Sequence, residues 1–72
     1  MSELQMALKA DQSFIELNKL LQVMKIAQTG GHAKIMIQNE EVKVNGQTET
    51  RVRNKIKKGD LVQVNNSSIL VQ

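Results

Sequence analysis

Residues 29–46 read Thr29-Gly30-Gly31-His32-Ala33-Lys34-Ile35-Met36-Ile37-Gln38-Asn39-Glu40-Glu41-Val42-Lys43-Val44-Asn45-Gly46, and the hydrophobic period changes within them. Thr29 is an N-cap residue type, followed by two glycines. Ala33, Met36 and Ile37 then recur at helical spacing, which predicts a helix over 30–39 with Asn39 as its C-cap. Lys34 and Gln38 share the opposite side, and Ile35 falls out of phase, predicted to be partly exposed. From Glu41 the period is two: Val42 and Val44 face one way, with Glu41, Lys43 and Asn45 the other, a short strand over 41–44. Asn45-Gly46 closes it as a hairpin, because both residues tolerate positive φ.

Upstream, Asp11 or Ser13 can cap a helix, and Glu16 stands three residues after Ser13 as in a capping box. Phe14, Leu17, Leu20, Leu21 and Met24 form an apolar stripe, which predicts a helix over 13–24 with Phe14 in the core. Its other face carries Asn18, Lys19, Gln22 and Lys25. Leu4, Met6 and Leu8 alternate with Gln5, Ala7 and Lys9, the pattern of a short strand; the same residue types also suit a frayed helical or disordered terminus. Downstream, Val52 and Ile56 are isolated apolar anchors, and Lys58-Gly59-Asp60 is a turn. Leu61, Val62 and Val64 make a strand, Asn65 to Ser68 a turn, and Ile69 to Val71 a final strand. The order predicts an α+β domain, two N-terminal helices packed on a small, mostly antiparallel sheet. At 72 residues the chain is one domain, 1–72, and no internal repeat or linker interrupts it.

A domain this small leaves little room for a deep catalytic cavity. With 40% apolar and 24% charged residues the composition is that of a folded protein. There is no cysteine, hence no disulfide or thiolate metal site, which fits the cytoplasm. No apolar run approaches the roughly 20 residues of a membrane span, and Met1-Ser2-Glu3-Leu4 does not open like a signal peptide. His32 is the only histidine, so no catalytic triad or histidine metal set is marked. Glu40-Glu41 are adjacent and read as a solvated helix end. The phosphate-loop spacing is absent. The expectation is a protein that is not an enzyme and carries no cofactor and no metal.

The net charge is +3, but it is segregated: residues 1–16 sum to −2 and residues 17–72 to +5. A polyanion partner and an ordinary solvated surface both accommodate this. Thr29-Gly30-Gly31 can cradle a phosphate on free N–H groups, or simply let the chain turn into the helix. Lys34 is a phosphate contact or a solvated lysine; His32 a contact to phosphate or 2′-OH, or a solvated first-turn residue. Arg51, Arg53, Lys55 and Lys57 alternate with Val52, Asn54 and Ile56. If the segment is extended, four charges line one side, and an anion would relieve their repulsion. Arginine can fork onto two phosphate oxygens. Because Phe14, the single aromatic, is assigned to the core, no ring is left for base stacking; if the chain binds RNA, it should do so by backbone and shape, on folded or double-stranded RNA.

The run Ala33-Lys34-x-x-Ile37, then Val42-Lys43-Val44-Asn45-Gly46, then Lys58-Gly59-Asp60-x-Val62 resembles the S-four RNA-binding domain, whose fold is called the alpha-L motif. The resemblance covers about residues 13–65 and is nearest to short, free-standing bacterial members. It implies binding of structured RNA, ribosomal or transfer, by a ribosome-associated module, with the start of the second helix and the adjacent hairpin as the RNA face. By position this implicates Thr29, Gly30, Gly31, His32, Lys34, Lys43, Asn45, Arg51 and Arg53. Many members place an arginine where this chain has Gly30; Lys25 or the Arg51–Lys57 cluster, with Lys55 and Lys57, can compensate. The expected partner is RNA, met as a monomer without a membrane, and Arg51→Ala and Arg53→Ala should each weaken binding. The alternative is a protein–protein adaptor using Ile35 or a sheet edge. DNA binding lacks a recognition helix with several base-reading side chains.

Overall fold

Leu17, Leu20 and Leu21 of one helix meet Ala33, Met36 and Ile37 of another over a floor of Val42, Val62, Val64, Ile69 and Val71, all buried. A computed structural model describes residues 2–72 of this chain; Met1 lies outside them. The elements run β1 (Ser2–Met6), β2 (Ile15–Glu16), α1 (Leu17–Val23), α2 (Gly30–Gln38), β3 (Val42–Val44), β4 (Gln47–Thr48), β5 (Lys55–Ile56), β6 (Leu61–Val64) and β7 (Ser67–Val71). Five strands form one sheet in the order β1-β7-β6-β3-β4, and β2 pairs with β5 in a separate two-stranded piece. Val62 faces Val44 on one side and Ile69 on the other, so side-chain alternation delivers one apolar layer to the helices. All pairings are antiparallel except β1 with β7, which run parallel with Leu4 opposite Ile69. Backbone bonds from Gln72 N–H to Met6 O (2.7 Å) and from Leu8 N–H to Gln72 O (2.8 Å) extend that pairing. No helix among the described residues is long and apolar enough to cross a membrane.

The β3–β4 turn has Asn45 at φ 52° and Gly46 at φ 85°, both left-handed as the Asn-Gly pair predicts. The helix expected over 30–39 spans Gly30–Gln38, with Asn39 as its C-cap. Other expectations need correction. The helices do not open the chain: β1 and β2 precede both. The helix predicted over 13–24 begins only at Leu17. Neither Asp11 nor Ser13 caps it, and the Ser13–Glu16 capping box does not form; Glu16 is the N-cap and its side chain makes no capping bond. The donors of the first turn are satisfied from elsewhere in the chain: Leu17 N–H donates to Asn54 O at 2.9 Å and Asn18 N–H to Val52 O at 3.1 Å. With Ile15 in a strand opposite Ile56, alternation turns Ile15 inward and Phe14 outward, so Ile15 fills the core place expected for Phe14. Residues 51–57 are not one extended run, because Val52 and Arg53 form a turn closed by Asn54 N–H to Arg51 O at 3.2 Å. The four cations therefore do not form a single row. The last turn is shorter than predicted, Asn65-Asn66, and β7 starts at Ser67.

Candidate nucleic-acid interface

The start of α2 is built by its own sequence. Thr29 is extended, and its Oγ1 accepts from His32 N–H at 3.0 Å, while its carbonyl accepts from Ala33 N–H at 3.0 Å. The His32 ring folds back on the loop, with Nδ1 accepting from Gln28 N–H at 3.3 Å. The first N–H groups of a helix have no intrahelical acceptor, and those of Gly30 and Gly31 find none among the described residues. A Cβ on Gly30 would meet the Gln22 side-chain amide at 3.4 Å, and one on Gly31 would meet Thr29 Oγ1 at 3.9 Å, both ordinary contacts. Packing therefore does not demand these glycines; their effect is to put no side chain over the first-turn N–H groups, which stand at the positive end of the helix dipole.

The facing wall is the 51–54 turn. Its carbonyls supply the missing cap of α1, and Val52 packs against the core, which fixes the turn beside α2. The result is an open groove lined by Asn18, Gly30, Gly31, Lys34, Val52 and Arg53. Lys34 and Arg53 bring positive charge to it, and none of its lining residues is acidic. Asn18 Oδ1 is buried there without a hydrogen-bond partner. The sequence placed Asn18 on the helix face opposite the apolar stripe; its burial arises from the contact with a turn 34 residues later, which no local pattern announces.

Of the residues singled out from sequence, the fold brings Gly30, Gly31, Lys34 and Arg53 together, with Thr29 and His32 framing the helix start. The others lie apart. Arg51 is engaged by Glu49: Arg51 Nε and Nη2 donate to its two oxygens at 2.9 and 3.0 Å. Arg51 N–H adds a bond of 2.9 Å and Asn54 Nδ2 one of 3.2 Å. These bonds, the arginine fork foremost, hold the Glu49 carboxyl down to about 2, and the carboxylate raises the Arg51 pKa in turn. Lys55 sits over the Phe14 ring, 5.0 Å from its centroid. Lys57 is exposed in the 57–60 turn, where its N–H donates to Asp60 Oδ2 at 2.8 Å. Lys43 points away from the helices, beside Glu40 and Glu41. The Asn45 side chain is committed to the fold, donating to Asp60 Oδ1 at 3.1 Å and accepting from Leu61 N–H at 2.9 Å. Lys25 stands in the connection between the helices at φ 61°. Among the described residues no group of three His, Cys, Asp or Glu is placed to hold a metal ion.

A family model described as the S4 domain matches residues 8–72. The solution structure of YbcJ from E. coli, described as revealing an alfaL motif involved in RNA-binding, matches with a TM-score of 0.71 and 36% sequence identity. That match covers 93% of this chain and 84% of YbcJ. No curated protein matches.

Proposed function

The chain belongs to the S4 domain family, and on that premise we propose that it is a non-enzymatic RNA-binding module, which grips structured ribosomal or transfer RNA through phosphates and 2′-hydroxyls. It acts as a monomer in the cytoplasm, on or near the ribosome. The observation that carries the reading is the groove in which two bare helix-start N–H groups meet Lys34 and Arg53. A phosphate seated there would accept from Gly30 and Gly31 and be neutralised by both side chains. Thr29 and His32 at the helix start would extend the contact along the RNA backbone, and Lys25, Lys43, Asn45, Arg51, Lys55 and Lys57, which lie apart from the groove, would meet an RNA that runs on beyond it. Such contacts position an RNA with little reading of its sequence. The likeness to YbcJ supports the same reading.

With about five phosphate contacts, log affinity should fall against log salt with a slope of about −3.5 to −4.5. Gel shifts with ribosomal and transfer RNA at about 50 and 200 mM salt test this. Lys34→Ala and Arg53→Ala, both at exposed positions, should each weaken binding about ten-fold at the lower salt without unfolding the domain. Unchanged affinity in the double variant would take the groove out of the RNA face. The 57% exposure of Ile35 favours a second reading, a protein adaptor. That reading requires binding that salt does not weaken.

A further inference from the structure

The chain's single aromatic side chain has no place in the core. Phe14 precedes β2, whose alternation turns Ile15 inward, and the ring is left half-buried at the surface. It lines an open depression with Gln12, Ile15, Glu16 and Lys19. A cation covers it: Lys55 Nζ lies 5.0 Å from the ring centroid. The charge of Glu16 in that depression is met by Lys19 at 3.9 Å. Lys55 is only two residues from Arg53 of the groove, at most about 7 Å of extended chain. The ring's Lys55 and the groove's Arg53 are thus carried on one short segment, as Phe14 and the groove's Asn18 are on another.

We propose that Phe14 and Lys55 form a stacking subsite for one unpaired nucleobase, bulged or flipped from the RNA whose backbone enters the groove. This rests on the RNA-binding reading and adds to it a preference for a local RNA feature. A base stacked on an aromatic ring gains more than an exposed ammonium does over phenylalanine, whose ring is a weak cation acceptor. The base therefore takes the ring face from Lys55. The released ammonium, still tethered to β5, turns to the phosphate of the same nucleotide. The subsite would use a ring that was expected in the core and that the fold leaves at the surface.

The test uses two RNA hairpins with the same stem, one fully paired and one with a single bulged 2-aminopurine. The protein should bind both, the bulged one about ten-fold more tightly, with a change in 2-aminopurine fluorescence on binding. Phe14→Leu should keep the affinity for the paired hairpin and lose both the preference and the fluorescence change. Phe14→Tyr, which keeps a ring, should restore them. Because Phe14 is not part of the core, thermal melts of both variants should stay near that of the parent. Equal affinity of the parent for the two hairpins, or a preference that survives in Phe14→Leu, overturns the subsite while leaving the groove intact. Failure to bind either hairpin overturns the RNA reading itself, and the subsite with it.

Discussion

The Glu49 carboxylate accepts from four donors, two on each oxygen, and its side chain is only 14% exposed while that of Arg51 is 75% exposed. It occupies the arginine fork much as a phosphate would. Arg51 thus presents a charge already offset within the molecule, whereas Arg53 lines the groove with no carboxylate among its fellow lining residues. Arg53→Ala should therefore cost more RNA affinity than Arg51→Ala, a ranking that titrations of the two variants check directly. The same carboxylate sets an acid limit on stability. Its folded pKa is about 2 against an ordinary 4.5, so as pH falls the unfolded chain takes up the proton first. The stabilisation is complete above about pH 4.5 and is lost progressively towards about pH 2. Urea unfolding of Glu49→Gln should show lower stability at neutral pH and a flatter acid limb than the parent. Asn45 combines left-handed backbone with two side-chain bonds to the start of β6. Asn45→Ala should cost about 1–2 kcal/mol in urea unfolding, from the lost bonds and the disfavoured φ.

At the scale of elements, the two helices differ in where their ends are specified. α2 carries its own start, Thr29 with the bare glycines, and a Cβ at Gly30 would meet only the end of the Gln22 side chain, at 3.4 Å. Gly30→Arg should add a phosphate contact, raising affinity at low salt and steepening the salt slope by about 0.9. Salt titration of that variant against the parent reads both effects. The start, stripe and C-cap of α2 and the Asn45-Gly46 turn were legible in the sequence because every residue that specifies them lies within a few positions. α1 was not, because its cap comes from the carbonyls of Val52 and Asn54. The apolar stripe from Phe14 fits a helix as well as it fits a strand followed by one, and only the pairing of Ile15 with Ile56 separates the two. For the same reason the groove was half-legible. The helix start and its lysine could be read locally, but the turn that sets Arg53 beside them, and withdraws Arg51 and Lys55, depends on contacts across the chain. The family pattern was legible over about residues 13–65, whereas the family match runs over 8–72. The difference includes β7, whose role lies in pairing with β1 and β6 and not in any motif of its own.

The whole molecule is a helical layer on a sheet whose two most distant segments in sequence lie side by side. β1 contributes Leu4 and Met6, partly buried against the core, and covers one edge of β7. Removing residues 2–6 should lower the thermal midpoint by several degrees or more, since a stability change of about 1 kcal/mol already moves a domain of this size by about 4–8 °C. A melt of the truncated chain, followed by circular dichroism, measures it. The effect on RNA binding, at temperatures where the truncated chain remains folded, should be small, because the groove draws nothing from β1.

The pairing of Ser2 with Ser67 also has a consequence in time. Synthesis proceeds from the N-terminus at about 5–20 residues per second, so β1 is made roughly 3–13 s before its partner strand exists. During that interval β1 is a strand with nothing to pair with, the kind of segment that finds the wrong neighbour. The polar, exposed Glu3 and Gln5 alternate with its apolar residues and limit that hazard. The module thus closes only when its last strand arrives, and a ribosome stalled before residue 67 would hold a chain with its first strand still open.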